Sequence, residues 1–331
     1  MTMAPIRAVG LSRSFDDLVA VDQIDLTVDK GEIFGFLGPN GAGKSTTVRM
    51  LTTLLKPTAG QAWVAGHDVV AEAATVRSKI GVALQDAAID PIMTGTELIS
   101  LQATLHGLSR SVGRERGSEL IERVGLTGAA DRRVGTYSGG MRRRLDLAMS
   151  LIHEPEVLFL DEPTTGLDPT SRQALWEEVR RLNSEFGTTV LLTTQYLEEA
   201  DQLADRIAII DNARIVRQGK PEELKKGVGD PTLRIDVHPD VRDTAERVLT
   251  EFGPPRPARK GRLAIGLAGG ATQLTTVVRA LDEAKVVVQH MELDEPSLDD
   301  VFAEATGRRL EGEAASPEAE PDGEAAARAA Q

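Results

Sequence analysis

The 331-residue sequence has no cysteine, few large aromatic residues and no long apolar run. Without cysteine, disulfides and thiolate metal sites are excluded, and a reducing cytoplasmic environment is compatible with the composition. Tryptophan and tyrosine number two each, so stacking on many nucleic-acid bases is not expected. The longest apolar runs, such as residues 157–160 and 190–192, are far shorter than the ~20 residues that span a bilayer. Any role at a membrane therefore depends on another chain.

An excess of positive charge is also missing. The formal net charge is −13, and phosphate repulsion over such a surface predicts no nucleic-acid partner. The N-terminal residues MTMAPIRAVG lack a charged start followed by a long apolar core, so no secretory signal is expected. The composition, 41% hydrophobic and 27% charged, is typical of a soluble globular protein with one large and one small domain.

Residues 5–225 alternate strand patterns with helix patterns, which predicts an α/β domain with a largely parallel sheet. The runs EVLFLDEP and TTVLLTTQ are continuously apolar, as expected for strands buried on both faces. The stretch from about residue 86 to 155 has helical patterns instead. We interpret it as a helical subdomain inserted into the α/β core.

The pattern changes after residue 221. Residues 230–306 predict a small C-terminal α/β accessory domain that ends in a short helix, with Ser297 as its N-cap. In that helix Leu298, Val301, Phe302 and Ala305 fall on one face. Residues 307–331 are rich in Ala, Glu, Pro and Gly, which predicts a disordered acidic tail.

A glycine-rich stretch between a predicted strand and a predicted helix fits the pattern G-x-x-x-x-G-K-[ST], which binds nucleotide phosphates. We call it the phosphate loop, and its members are Gly38, Pro39, Asn40, Gly41, Ala42, Gly43, Lys44, Ser45 and Thr46. Its glycines let successive N–H groups face phosphate oxygens, the lysine brings positive charge to them, and the Ser45 hydroxyl can ligate Mg²⁺. The loop therefore predicts a site for ATP and Mg²⁺.

Two acidic residues, Asp161 and Glu162, end the buried strand EVLFLDEP. We expect Asp161 to hold Mg²⁺ through water and Glu162 to polarise the water that attacks the γ-phosphate. The alternative is an ordinary acidic strand end. Asp168 follows in a TGLD turn, where it either carries information across a subunit interface or is an ordinary turn aspartate.

A second anion-binding pattern is formed by Ser138, Gly139, Gly140 and Met141, which we call the Ser-Gly-Gly turn. It enters a predicted helix, where unpaired N–H groups lie at the positive end of the helix dipole. Taken alone, it could equally be a plain loop. Two phosphate-binding patterns in one small domain suggest that one of them serves a neighbouring molecule.

The remaining charged clusters receive no catalytic role from the sequence. The run Arg142, Arg143 and Arg144 is expected to face nucleotide, a partner or solvent on a helix. The five histidines have no ligand spacing and are expected in loops or at the surface.

Over residues 5–225 these motifs, in this order and spacing, resemble the ATPases of ATP-binding cassette (ABC) transporters, which have a P-loop NTPase fold. The resemblance implies a head-to-tail homodimer in which each ATP lies between one phosphate loop and the Ser-Gly-Gly turn of the other subunit. It also implies that Gln85 joins the Mg²⁺ and water network and senses a membrane partner. Phe15 would stack on adenine, although as a lone aromatic near a strand it could equally be a core residue.

Two positions depart from the usual pattern of that family. Met141 replaces a glutamine, and Gln195 replaces the histidine that contacts the γ-phosphate. A glutamine amide can donate a hydrogen bond, but it cannot carry a proton or a charge at neutral pH. We therefore expect ATP binding to persist, and hydrolysis to proceed at a modest rate through Glu162 with Gln195 in the catalytic site.

These departures, with YSGGMRRRLDLA and EPSLDDVF, resemble the daunorubicin/doxorubicin-resistance (DrrA) type of exporter ATPase, in which the Met and Gln are usual. The resemblance implies an ATP-hydrolysing dimer at the cytoplasmic face of the membrane that energises a separate permease and exports a drug or antibiotic-like compound. One alternative is export of a lipid or polysaccharide. Another is a non-transport cassette acting in DNA repair or on ribosomes, but the sequence has one phosphate loop and no cysteine-containing insertion.

Overall fold

The apolar runs of the sequence form the strands of three separate sheets in the computed structural model, which describes residues 4–84, 89–256, 262–308 and 310. The strands are β1 (Ile6–Phe15), β2 (Leu18–Val28), β3 (Ile33–Leu37), β4 (Ala59–Val64), β5 (His67–Asp68), β6 (Ile80–Ala83), β7 (Val157–Asp161), β8 (Thr189–Thr194), β9 (Arg206–Asp211), β10 (Arg214–Gly219), β11 (Thr232–Val237), β12 (Arg262–Gly266) and β13 (Val288–Asp294). The helices are α1 (Lys44–Leu51), α2 (Ala73–Lys79), α3 (Gly95–Leu105), α4 (Arg110–Arg123), α5 (Gly139–Leu151), α6 (Pro169–Phe186), α7 (Leu197–Leu203), α8 (Pro221–Val228), α9 (Arg242–Thr250), α10 (Leu274–Glu283) and α11 (Leu298–Thr306).

The central sheet has six strands in the order β10-β9-β3-β8-β7-β6, and all of them are parallel except β10. Every residue of β3, β7 and β8 is buried, as their continuous apolar runs predict. The prediction of a largely parallel sheet is confirmed. Because the carboxyl ends of β3, β7 and β8 meet at one edge, the residues that follow these strands are brought together there.

Two different layers cover the two faces of the central sheet. A four-stranded antiparallel sheet, β2-β1-β4-β5, packs on one face, where Ile24 and Val64 share a core with Phe34 and Phe159. Helices cover the other face, where Trp176 of α6 lies in the same apolar cluster as Leu158. Both faces of the central sheet are thus covered by apolar side chains and shielded from solvent.

Helices α3, α4 and α5 occupy the stretch between β6 and β7 that the sequence predicts to be helical. A capping box formed by Thr94 and Glu97 starts α3. Glycines let α3 and α4 approach closely, because a Cβ on Gly117 would lie 2.9 Å from Ile99 Cγ2. The short elements α2, β10 and α8 are absent from the sequence prediction, since each is brief and carries few buried side chains.

A three-stranded antiparallel sheet, β12-β11-β13, forms with α9 and α10 a separate core towards the C-terminus. Burial alternates along β11, so that Leu233, Ile235 and Val237 enter this core while the residues between them are half-exposed. Leu249 of α9 and Leu281 of α10 cover the apolar face.

The last helix, α11, packs away from that three-stranded sheet. Ser297 caps it and forms a capping box with Asp300, as the sequence predicts for the N-cap. Its buried face, Val301 and Phe302 included, belongs to the apolar cluster that also contains Leu37 of β3 and Ile209 of β9. Its place at the end of the 230–306 domain stays a prediction, because an apolar pattern identifies the buried face of a helix but not the surface that covers it.

The first residues of the predicted tail are ordered by contacts with the central sheet. Gly307 ends α11 in a left-handed conformation with φ 75°. The Arg308 guanidinium then donates to Asp211 Oδ1 over 2.6 Å, and Leu310 is buried beside α11. A disordered segment starting at 307 thus begins too early, and residues 311–331 lie outside the described ranges.

Candidate functional site

The phosphate loop joins the end of β3 to the start of α1, and its shape requires glycine. Gly41 and Gly43 have φ of 80° and 107°, in the region that L side chains rarely adopt. A Cβ on Gly38 would lie 2.3 Å from Ile210 O, and one on Gly43 would lie 2.4 Å from Ala20 O. Asn40 and Gly41 are exposed at the tip, Pro39, Ser45 and Thr46 are half-buried, and Gly38, Ala42, Gly43 and Lys44 are buried.

The Lys44 ammonium lies inside the loop. Its Nζ donates to Gly38 O over 2.7 Å and to Pro39 O over 3.1 Å, and lies 3.3 Å from Glu162 Oε1. Burial lowers the pKa of Lys44, an effect that the Glu162 carboxylate opposes. A positive charge is thereby held between the loop and the acidic end of β7.

Asp161 connects the loop to two neighbouring strands. Its Oδ1 accepts hydrogen bonds from Ser45 Oγ over 3.0 Å and from Thr193 Oγ1 over 2.5 Å. A hydroxyl and a carboxylate this close together are the hard oxygen donors that Mg²⁺ prefers, so Ser45 and Asp161 fit the predicted metal role. Sequence reasoning missed Thr193, which the parallel register of β7 and β8 pairs with Asp161.

The backbone of Glu162 adopts a left-handed conformation that places its carboxylate at the site. Its φ is 46°, in a left-handed region that costs a non-glycine residue about 1 kcal/mol or more. Its N–H donates to Thr193 O over 3.1 Å and to Thr193 Oγ1 over 3.0 Å, and Thr165 Oγ1 donates to Oε2 over 3.3 Å. The surrounding strands thus fix a carboxylate that faces Lys44.

Gln195 follows directly after β8, beside the start of the phosphate loop. The carbonyl of Thr194 accepts a hydrogen bond from Gly38 N over 3.2 Å, and the Gln195 side chain is half-buried. Sequence reasoning also missed Glu199 on α7, which is fully buried and accepts from Trp176 Nε1 over 3.0 Å. Burial raises the pKa of this carboxyl.

The Ser-Gly-Gly turn starts α5. Ser138 is the N-cap, and its Oγ accepts from Met141 N over 3.2 Å. Ser138 and Gly139 are exposed, Gly140 is buried and Met141 is half-buried. Among the described residues, no hydrogen bond or ion pair joins this turn to the phosphate loop. The two predicted phosphate-binding patterns therefore make no polar contact within one chain.

Asp168 lies next to that turn and caps α6. Its carboxylate accepts from Ser171 N over 3.0 Å and from Ser171 Oγ over 2.5 Å, and these bonds lower its pKa. The start of α6 touches the start of α5, because a Cβ on Gly140 would lie 2.7 Å from Ser171 Oγ. An exposed aspartate and an exposed anion-binding turn thus share one surface.

Phe15 lies at the end of β1 and is 41% exposed, with the Arg13 guanidinium 4.5 Å from its ring centroid. The alternative that Phe15 is a core residue is therefore wrong. Gln85 lies outside the described residues, so its predicted place in the Mg²⁺ network has no structural account.

One surface expectation, that for the arginine run, needs correction. Arg142 is exposed, but Arg143 is only 10% exposed and bonds to backbone carbonyls, because its side chain lies over the ends of two central strands. His153 lies in the turn after α5, as expected of a loop residue, and its half-buried ring stacks on His106 with ring centroids 3.7 Å apart.

Comparison with known proteins gives two family matches. Residues 21–165 match the family described as "ABC transporter", and residues 219–306 match "ATP-binding protein DrrA1-3-like, C-terminal domain". The chain is 46% identical to the daunorubicin/doxorubicin resistance ATP-binding protein DrrA of Streptomyces peucetius, over 97% of this chain and 99% of that protein. It is 38% identical to the Nod factor export ATP-binding protein I of Ralstonia nicotianae, over 92% and 95% of the two chains.

A solved structure described as a dimeric bacterial ABC transporter cassette is also similar. It is 25% identical with a TM-score of 0.61, over 65% of this chain and 98% of that chain. None of the described helices combines the length and apolar character needed to cross a bilayer.

Proposed function

Because the chain belongs to the ATP-binding proteins of ABC transporters, with near full-length relatives of the drug-resistance type, we propose that it hydrolyses ATP to drive export through a separate membrane permease. One observation carries this proposal. Lys44, Ser45, Asp161 and Glu162 converge at one edge of the central sheet through contacts of 3.0 and 3.3 Å.

The phosphate loop, residues 38–46, binds the triphosphate through its backbone N–H groups, and Lys44 adds positive charge to the β- and γ-phosphates. Ser45 and Asp161 hold Mg²⁺, with Gln85 as a further member of that network, and the ion neutralises charge on the phosphates when bound. Phe15 offers its exposed ring to the adenine.

Glu162 takes the proton of the attacking water, because its carboxylate is fixed beside the lysine at the phosphate end of the site. Thr193 keeps that carboxylate in place by accepting the Glu162 N–H and by bonding to Asp161. Gln195 contributes a hydrogen bond to the γ-phosphate but no proton transfer, since an amide does not titrate.

The active unit is a homodimer. The exposed Ser-Gly-Gly turn, residues 138–141, makes no polar contact with its own phosphate loop in the described residues, and it lies on the same surface as Asp168. In a two-fold dimer this surface completes the ATP site of the other subunit. The similarity to a dimeric cassette supports this arrangement.

The permease is a separate chain, and the protein acts at the cytoplasmic face of the membrane through it. A drug or antibiotic-like cargo is supported by the 46% identity to a daunorubicin/doxorubicin resistance protein. The relative named for Nod factor export, at 38% identity, keeps a cargo other than a drug as a second candidate.

Two measurements test the function. Glu162→Gln should lower ATP turnover of the purified protein by about 10²- to 10⁴-fold, because a positioned base contributes that much, while Mg-ATP binding persists. In cells that contain the permease, the wild type should reduce daunorubicin accumulation and Glu162→Gln should not. Unchanged turnover in Glu162→Gln would refute the catalytic assignment. Export that is independent of Glu162 would refute the role in transport.

A further inference from the structure

Arg143 lies on α5, five positions after Ser138, and its guanidinium reaches the ends of two central strands. Its Nη1 donates to Leu84 O over 2.6 Å, just beyond β6. Its Nη2 donates to Asp161 O over 2.9 Å, and its Nε donates to Pro163 O over 2.9 Å, at the end of β7. These carbonyls lie where the ladder of the sheet ends, so they need partners from elsewhere.

The three bonds depend on the shape of the guanidinium. Its donors are arranged in a rigid planar fork, so a single side chain can serve three separated carbonyls. A lysine ammonium is a compact point charge and does not span them. The side chain is 10% exposed, and the Asp146 carboxylate at 3.3 Å balances its charge.

Two of these carbonyls, those of Asp161 and Pro163, belong to the residues immediately before and after Glu162. Glu162 itself has φ 46°, a conformation that surrounding contacts must maintain. Thr193 holds the Glu162 N–H from β8, and Arg143 holds the flanking carbonyls from α5. The strained residue is therefore fixed from two sides.

We propose that Arg143 is a positioning residue that keeps the Glu162 carboxylate in its hydrolytic position and ties it to the helix that begins with Ser138. The proposal rests on the proposed ATPase function. Because that turn serves the ATP of the other subunit, Arg143 links one subunit's catalytic carboxylate to its contact with the second ATP. It makes no contact with Lys44 or Ser45 among the described residues, so ATP binding is independent of it.

Kinetics of purified variants test this role. Arg143→Lys and Arg143→Gln should lower kcat for ATP by roughly 10- to 100-fold, the range expected when a reacting group is misplaced by about 1 Å, with KM changed less than about twofold. Arg114→Gln, at an exposed position of α4, is the matched control and should keep the wild-type kcat. A wild-type kcat in Arg143→Lys, or a raised KM with unchanged kcat, would overturn the proposal.

Removing Arg143 alone leaves Asp146 buried without its cation, which threatens folding. The double variant Arg143→Gln/Asp146→Asn avoids this and is compared with Asp146→Asn alone. The double variant should have a lower kcat than Asp146→Asn, and the two proteins should have similar midpoints of thermal unfolding. Equal kcat in the two would contradict the positioning role.

Amide hydrogen exchange separates this proposal from the ATPase function itself. In nucleotide-free protein, exchange of residues 162–167 should be faster in Arg143→Lys than in the wild type, and unchanged in Arg114→Gln. This readout does not require turnover. A wild type without ATPase activity would refute the proposed function, whereas equal exchange in all three proteins would refute the positioning role of Arg143.

Discussion

At the scale of single residues, two histidines form a stacked pair between the central sheet and the helical segment. The rings of His106 and His153 lie 3.7 Å apart at an interplanar angle of 8°, and His153 Nε2 lies 2.9 Å from Ile80 O. Burial, with a further contribution from His106, lowers the pKa of His153 to about 4. Both rings are therefore neutral at physiological pH.

This pair predicts a specific sensitivity to acid. The unfolded chain binds the His153 proton with a pKa near 6.5, so it takes up more protons than the folded chain between pH ~6.5 and ~4. The stabilising contribution of neutral His153 is complete above that window and is lost as the pH falls through it. His153→Phe keeps an aromatic ring but removes the titration.

Urea unfolding between pH 4.5 and 7.5 checks this. The free energy of unfolding should fall more steeply on acidification in the wild type than in His153→Phe. Asp146 lines the same groove, and burial raises its pKa to about 6. It titrates in both proteins, so its contribution cancels in the comparison. Parallel pH curves for the two proteins would contradict the prediction.

The sequence predicts residues of the site that form contiguous motifs. The phosphate loop and the Asp161–Glu162 pair are found this way because their chemistry depends on adjacent positions. Thr193 and Arg143 cannot be found this way. Thr193 reaches Asp161 through the register of two strands, and Arg143 reaches its carbonyls from a helix that crosses two strand ends. A run of three arginines shows no difference between its members until the helix leaves Arg142 exposed and brings Arg143 and Arg144 to backbone carbonyls.

At the scale of secondary structure elements, α11 is the least expected feature. It follows the three-stranded sheet in sequence, yet Phe302 is fully buried against the central domain, in the cluster that contains Leu37 and Leu197. Leu37 immediately precedes the phosphate loop, and Leu197 begins the helix that follows Gln195. The helix thus shares one apolar cluster with residues next to both segments.

The apolar periodicity of α11 predicts its buried face and its N-cap correctly, but it carries no information about the partner surface. Hydrophobic spacing reports which side of a helix leaves water. The choice between two available cores depends on shape, which appears only when both domains are folded.

Phe302→Ala should destabilise the protein by about 3–5 kcal/mol, the usual cost of removing a fully buried aromatic ring. Phe186→Ala is the matched control, because Phe186 is 59% exposed at the end of α6 and its loss should cost much less. Thermal or urea unfolding measures both. An equal, small effect of the two substitutions would show that α11 is not part of the central core.

At the scale of the whole molecule, the surface that carries the Ser-Gly-Gly turn predicts ATP-dependent dimerisation. Ser138→Arg should prevent the dimer and abolish turnover while the phosphate loop of the monomer still binds ATP. Loss of the N-cap costs only about 1 kcal/mol, so the fold should persist. Ser184→Arg, on the exposed side of α6, is a control for the added charge.

Light scattering of the Glu162→Gln protein with ATP measures the mass directly. The dimer should form in Glu162→Gln and in Glu162→Gln/Ser184→Arg, and only the monomer should be present in Glu162→Gln/Ser138→Arg. A dimer that tolerates Ser138→Arg would place the subunit interface elsewhere.

The packing of α11 also imposes an order on biosynthesis. The ribosome makes the phosphate loop early, but residues 298–308, whose apolar side chains share a cluster with Leu37 at the end of β3, emerge only after the entire three-stranded sheet has been translated. Until then the nascent chain exposes the apolar surface around Leu37 and Ile209. The apolar cluster around Leu37 is therefore complete only when residues 298–308 have been made.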